Sequence, residues 1–213
     1  MKTQVNAVRA SIHAVIDGEG SALVAKYYAE DGPFAARLFD ELPNNAPFEF
    51  TADDLVASSL LDVRFGPAAV RALLIEPAAV NDLLTRLGED RPLWEVEDLS
   101  RANELWRSLR AVPIGPTRTS KLLSRKRPKM LPILDSVISK HLCLSGADDR
   151  WALLRDALSD ESLRQAIDAM APGGFKQPTT LRLLDVATWM RHSESTNARR
   201  AREECGLTVE PRS

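Results

Sequence analysis

Residues 112–138 read VPIGPTRTSKLLSRKRPKMLPILDSVI, and the reading of this stretch decides the fold. No acid stands between Val112 and Asp135, while Arg118, Lys121, Arg125, Lys126, Arg127 and Lys129 fall within twelve residues. Arg107 and Arg110 lie just upstream. The run Pro113-Ile114-Gly115-Pro116-Thr117 forces a tight turn. From Thr117 the chain enters a helix over 117–126, with Leu122 and Leu123 facing inward and Lys121 and Arg125 paired outward at (i, i+4). A proline-bearing loop, 127–132, then leads to Asp135 at the opening of the next helix.

A positive run of this kind is able to hold a phosphate backbone. It is equally the mark of a solvated helix face. The turn adds a second feature, because a helix N-terminus exposes main-chain N–H groups that, with the helix dipole, form an anion site. Pro116 removes one of those donors.

Working outward, apolar residues recur at helical spacing along the chain. The pattern predicts helices over 3–17, 21–30 and 34–42. Thr51 is the expected N-cap of the next helix, with Asp53 and Asp54 opposing the positive end of its dipole and Leu55, Val56, Ser59, Leu60 and Val63 on its inner face. Further helices are predicted over 67–75, 77–87, 96–108, 135–144, 148–158, 161–171, 180–191 and 195–205. Prolines 67 and 77 sit where a helix begins. No run alternates at period two, so no strand is expected. The fold class is all-α, divided into N-terminal helices (1–46), a core (47–192) and a C-terminal helix with a frayed tail (193–213).

The totals narrow the classes. A chain of 213 residues buries a proper core, and 44% hydrophobic with 27% charged residues is ordinary for a globular protein. Net charge is −2, so a nucleic-acid partner would have to be met by a local patch. Cys143 and Cys205 are far apart, which argues against a disulfide framework or an iron–sulfur cluster. The N-terminus lacks the apolar core of a secretory signal, and no apolar run approaches a membrane span. A cytoplasmic protein with no membrane partner is expected.

The central segment resembles the helix-hairpin-helix DNA glycosylases of the endonuclease III-like superfamily. The matching parts are Pro113-Ile114-Gly115, the helix over 117–126, the loop 127–132 and Ile133-Leu134-Asp135-Ser136-Val137. The twenty residues from Gly115 to Asp135 equal the interval that family commonly shows between its second hairpin glycine and its aspartate. Residues 48–61 resemble the family's early helix, 181–190 resemble its late apolar helix, and the likeness covers about 47–191. The whole chain also looks like an uncharacterised actinobacterial family with an SKLL-x-RKRP-x-x-x-PI-x-D motif, which is Ser120 to Asp135 here.

The resemblance implies a helix-hairpin-helix core in one or two lobes. It implies a DNA-binding protein whose hairpin amides meet a phosphate and which flips its target base out of duplex. Gly115, Thr117, Arg118, Lys121, Arg125, Lys126, Arg127 and Lys129 are the DNA-binding candidates. Asp135 would be the catalytic carboxylate, stabilising positive charge on the sugar as the base leaves. Pro113 departs from the family by replacing the first hairpin glycine. Thr117 stands where bifunctional members carry a Schiff-base lysine, and threonine has no amine, so an active chain would be a monofunctional glycosylase. The alternative is a non-enzymatic DNA- or protein-binding module derived from that fold, its basic face meeting an acidic partner.

Other residues read more plainly. Asp135 also fits a simple N-cap, a role compatible with catalysis. His141 suits a helix surface or the core better than a base, and His13 and His192 show no nearby partner in sequence. The three histidines and two cysteines have no metal-ligand spacing, and neither metal nor cofactor is expected. Trp94, Trp106, Trp151 and Trp189 read as core, with Trp94 the one placed to be exposed. The Arg199–Arg202 run is balanced by Glu203 and Glu204.

Overall fold

The computed structural model describes residues 2–34, 36–43, 45–111, 114–146, 149–173 and 178–207. Pro113, Gly174 and the tail from 208 onward lie outside the described residues. The protein is all-α, and no strand occurs among those residues. In chain order the helices are α1 (Lys2–Ile16), α2 (Gly20–Tyr28), α3 (Ala36–Glu41), α4 (Ala52–Ser59), α5 (Pro67–Val70), α6 (Ala78–Leu87) and α7 (Ser100–Ala111). There follow α8 (Pro116–Lys126), α9 (Ser136–His141), α10 (Arg150–Ala157), α11 (Glu161–Asp168), α12 (Thr180–His192) and α13 (Thr196–Glu204). None is long and apolar enough to cross a membrane.

The packing divides the chain into Ala35–Asp135 on one side and Met1–Phe34 with Ser136–Ser213 on the other. These breaks fall elsewhere than the sequence divisions at 46/47 and 192/193. The reason is long-range pairing: α12 packs on α1 and α2, more than 150 residues away in the chain, as well as on α9, α11 and α13. A local pattern does not reveal such a pairing.

In the two-ended unit α12 is the axis, buried almost throughout, as its continuous apolar run predicts. Its two buried charges are mutually satisfied. Arg182 pairs with Asp185 one turn on, and its Nη2 donates to the Tyr27 hydroxyl at 3.2 Å. Arg202 of α13 is also buried, and its Nη1 donates to the Met190 carbonyl at 2.7 Å, closing the C-terminal end of α12. A cation there complements the negative end of the dipole. Ser195 caps α13 by accepting from Ala198 N–H.

In the contiguous unit α4 starts at Thr51 as expected, and Asp54 accepts from both the Thr51 N–H (2.8 Å) and its hydroxyl (3.1 Å). Val56 and Ser59, expected on its inner face, are exposed instead, because α4 turns Asp54, Leu55, Ala57 and Ser58 inward. The helix expected over 67–75 is α-helical only to Val70. It continues as a π turn, Arg71–Ile75, closed by Glu76 N–H on Arg71 O at 2.8 Å. The helix expected from 96 begins at Ser100, because the Asp98 carboxylate takes up both the Ser100 N–H and its hydroxyl. The helix expected over 135–144 is the shorter α9, and Asp135 immediately precedes it.

Helix α8 corrects the largest expectation. Leu122 and Leu123 point inward as predicted, but Lys121 and Arg125 do not point outward; all eight residues from Thr119 to Lys126 are buried. Arg127, next in the chain, is 1% exposed. The cause is that α8 runs past the carbonyl-bearing ends of three other helices. Arg125 donates to the carbonyls of Phe39 (2.9 Å), Asp40 (3.2 Å) and Leu42 at the end of α3. Lys121 donates to Leu61 O just beyond α4. Arg127 donates to Leu84 O (3.3 Å) in the last turn of α6, to Gly88 O (2.7 Å) at its cap, and to Pro47 O (2.7 Å). Lys126 binds Asn45 Oδ1 (3.0 Å) and Ala46 O (2.9 Å) and pairs with the fully buried Asp54.

The last carbonyls of a helix have no internal donor and carry its negative partial charge, so a buried cation is well matched to them. That match offsets the desolvation cost of taking a charge out of water. Burial still leaves its mark, holding the proton affinities of Arg125, Lys126 and Arg127 below their ordinary values, with Asp54 opposing that effect at Lys126 and Arg125.

Candidate functional site

The turn between α7 and α8 depends on Gly115, whose φ of +79° is left-handed and disfavours any side chain. Its carbonyl accepts from the Thr119 N–H (3.1 Å) and hydroxyl (2.9 Å), starting the helix. Pro116 occupies the first helical position, where the missing N–H costs nothing. The N–H groups of Thr117 and Arg118 therefore have no intrahelical acceptor. Ile114, just before the glycine, is fully buried and anchors the turn.

A cavity of about 500 Å³ opens at this turn, lined by Ile114, Gly115, Pro116, Thr117 and Arg118 on one wall and Asp62, Val63 and Arg64 on the other. Arg118 is braced by Nη1 on the Ile114 carbonyl at 2.9 Å. Arg64 is exposed. Asp62 has a φ of +59°, a conformation that few non-glycine residues adopt, and its N–H is fixed on Ser59 O at 3.1 Å. Buried Lys121 contributes indirectly, since its bond to Leu61 O ties the residue before Asp62 to α8.

The structure thus separates the residues that sequence grouped. Gly115, Thr117 and Arg118 share the cavity. Lys129 is exposed beyond α8, its N–H held by the Asp90 carboxylate at 3.0 Å. Lys121, Arg125, Lys126 and Arg127 face carbonyls instead of solvent. Asp135 is half-buried and does not line the cavity. The segment leading to it is fixed by Ser120, whose Oγ accepts from Leu134 N–H (2.6 Å) and donates to Pro132 O (3.2 Å).

A family model described as a family of unknown function, DUF6308, matches residues 21–192. The chain belongs to that family. No curated protein and no solved structure matches it significantly. The DUF6308 match includes the whole basic segment, both walls of the cavity and Asp135.

Two features escaped the sequence. Asp62 and Arg64 stand about fifty residues from the turn they face, and no local pattern marks them. His192 does have a partner: its ring stacks on His141 with centroids 3.7 Å apart and planes within 5°. Trp106 and Trp151 are core residues, while Trp94 and Trp189 are half-buried.

Proposed function

We propose that this chain binds the backbone of duplex DNA at the Gly115 turn. One observation carries the reading: Arg64 and Arg118 line the same cavity as the first turn of α8, where main-chain donors have no helical acceptor, with the acidic Asp62 beside them. Guanidinium forks and helix N-termini are both suited to phosphate oxygens. The resemblance to helix-hairpin-helix glycosylases supports DNA as the partner. The burial of Lys121, Arg125, Lys126 and Arg127 narrows the surface open to any acidic partner, DNA or protein.

Where the chain acts as an enzyme, Asp135 is the carboxylate for monofunctional hydrolysis. The C1′–N bond breaks with its electron pair on the base, water oxygen bonds to C1′, and a proton passes to the base nitrogen. Asp135 would stabilise the charge that develops on the sugar.

Fluorescence anisotropy with a labelled duplex at low salt tests the binding. The double variant Arg64→Ala/Arg118→Ala is expected to weaken it roughly tenfold or more, because two cations no longer reach the phosphates. Absence of binding by the wild-type chain, or equal affinity of the variant, sinks the proposal. Base release from duplexes carrying damaged bases, compared with Asp135→Asn, separates an enzyme from a binding module.

A further inference from the structure

We propose that the stacked pair His141–His192 is an acid-operated latch between α9 and the C-terminal end of α12. Each histidine is the last residue of its helix, the two helices pack together, and the rings lie face to face at 3.7 Å. Two neutral imidazoles, or one neutral and one charged, tolerate that stack. Two imidazolium rings at this separation repel, and the half-buried setting screens the repulsion poorly.

The surroundings add to the effect. A helix C-terminus normally favours a protonated histidine. Here burial disfavours the charge first, and every charged neighbour acting strongly on His192 is a cation or a potential one: His141 and Lys140 on α9, Arg191 on α12 itself, and Arg202 on α13. His192 is accordingly lowered to about 4, and His141 is lowered by burial and Lys140. Several acids and cations of the other packed elements are engaged elsewhere. Glu194 pairs with Arg199 (3.3 Å), Lys26 of α2 pairs with Glu204 (2.8 Å), and Asp168 of α11 accepts from Thr180 (2.6 Å) at the far end of α12. From beyond α1, the Asp17 carbonyl accepts from Arg191.

The sign follows from linkage. An unfolded histidine titrates near about 6.5, and His192 in the fold binds its proton only well below that. The contribution of the neutral pair is therefore present above about pH 6.5 and lost as pH falls toward about 4. Between these limits the unfolding constant rises by up to about tenfold per pH unit for each such histidine.

Urea titrations of the full chain at pH 7, 6 and 5 are compared with those of His192→Gln, which keeps a polar planar side chain and does not titrate. The wild type is expected to lose stability faster than the variant across this interval. Amide exchange, corrected for its intrinsic pH dependence, is expected to accelerate in α9 and the last turn of α12 before the rest of that unit. Parallel pH slopes for the two proteins, or exchange that rises uniformly, overturns the latch. Should His192→Gln not fold, the imidazole proton resonances and amide exchange of the wild type decide. His192 titrating at its ordinary value refutes the proposal. Titration well below it upholds the latch only when exchange in α9 and the last turn of α12 accelerates first as the pH falls; uniform exchange refutes it.

Discussion

Two sets of cations from one contiguous unit meet opposite fates. Lys121, Arg125, Lys126 and Arg127 are buried against carbonyls, whereas Arg64 and Lys129 are exposed and Arg118 is half-buried at a cavity. Residue type does not separate the sets, and neither does position in the basic run, since Arg118 precedes the buried group and Lys129 follows it. What separates them is the supply of acceptors. The buried four reach the ends of α3, α4 and α6 or the loop between α3 and α4, and each head group meets main-chain oxygens there. Charge in a sequence records where a cation is needed, and a helix end is as strong a reason as a phosphate.

The largest effect is expected at Lys126. Its ammonium is fully buried beside Asp54, whose carboxylate is itself 0% exposed. Lys126→Met would leave that carboxylate without its closest cation, with Arg125 Nε remaining only at 3.7 Å. Removing one partner of a buried pair costs about 3–5 kcal/mol. Urea unfolding should show a loss of that size, and a loss below about 1 kcal/mol would place Lys126 with the solvated cations instead. The double variant Asp54→Leu/Lys126→Met should recover only part of the loss: the unpaired carboxylate is gone, but Arg125 loses its carboxylate partner and Thr51 its cap acceptor.

Arg127→Lys is the next step down. Lysine keeps the charge but replaces a planar fork with a single head group, so it cannot reach the Gly88, Pro47 and Leu84 carbonyls together. A carbonyl left buried without a donor costs about 1–3 kcal/mol. The expected loss lies in that range, read from the same urea titration. An unchanged midpoint would mean that charge alone, without the fork, holds the ends of α6 and the 47 loop.

These contrasts also show how far the sequence can be read. The helical period places Leu122 and Leu123 inside, Thr51 at the start of α4 and the apolar run of α12 in a core, since each rests on local spacing or capping chemistry. The same period puts Lys121 and Arg125 outside, because period alone distinguishes one face from another only when the opposite face meets water. From Thr119 onward helix α8 is enclosed, and its enclosure comes from α3, α4, α6, α7 and residues 45–47, whose approach is a tertiary fact. Arg64 and the His141–His192 stack are hidden for the same reason: each partner arrives from a distant part of the chain.

The smallest effect on stability is expected at Lys129, and it sharpens the other side of the comparison. Its side chain is exposed, and its main-chain N–H donates to Asp90, a bond that any residue but proline preserves. Lys129→Ala should therefore change stability by no more than about 0.5 kcal/mol. Its effect belongs to binding. Taking one cation away from a DNA phosphate lowers the slope of log affinity against log salt by about 0.9. The measurement is anisotropy at several salt concentrations, wild type against variant. A slope reduced by that amount with an unchanged urea midpoint makes Lys129 a ligand of the DNA backbone. An unchanged slope confines the proposed DNA binding to the Gly115 cavity, which Arg64 and Arg118 line.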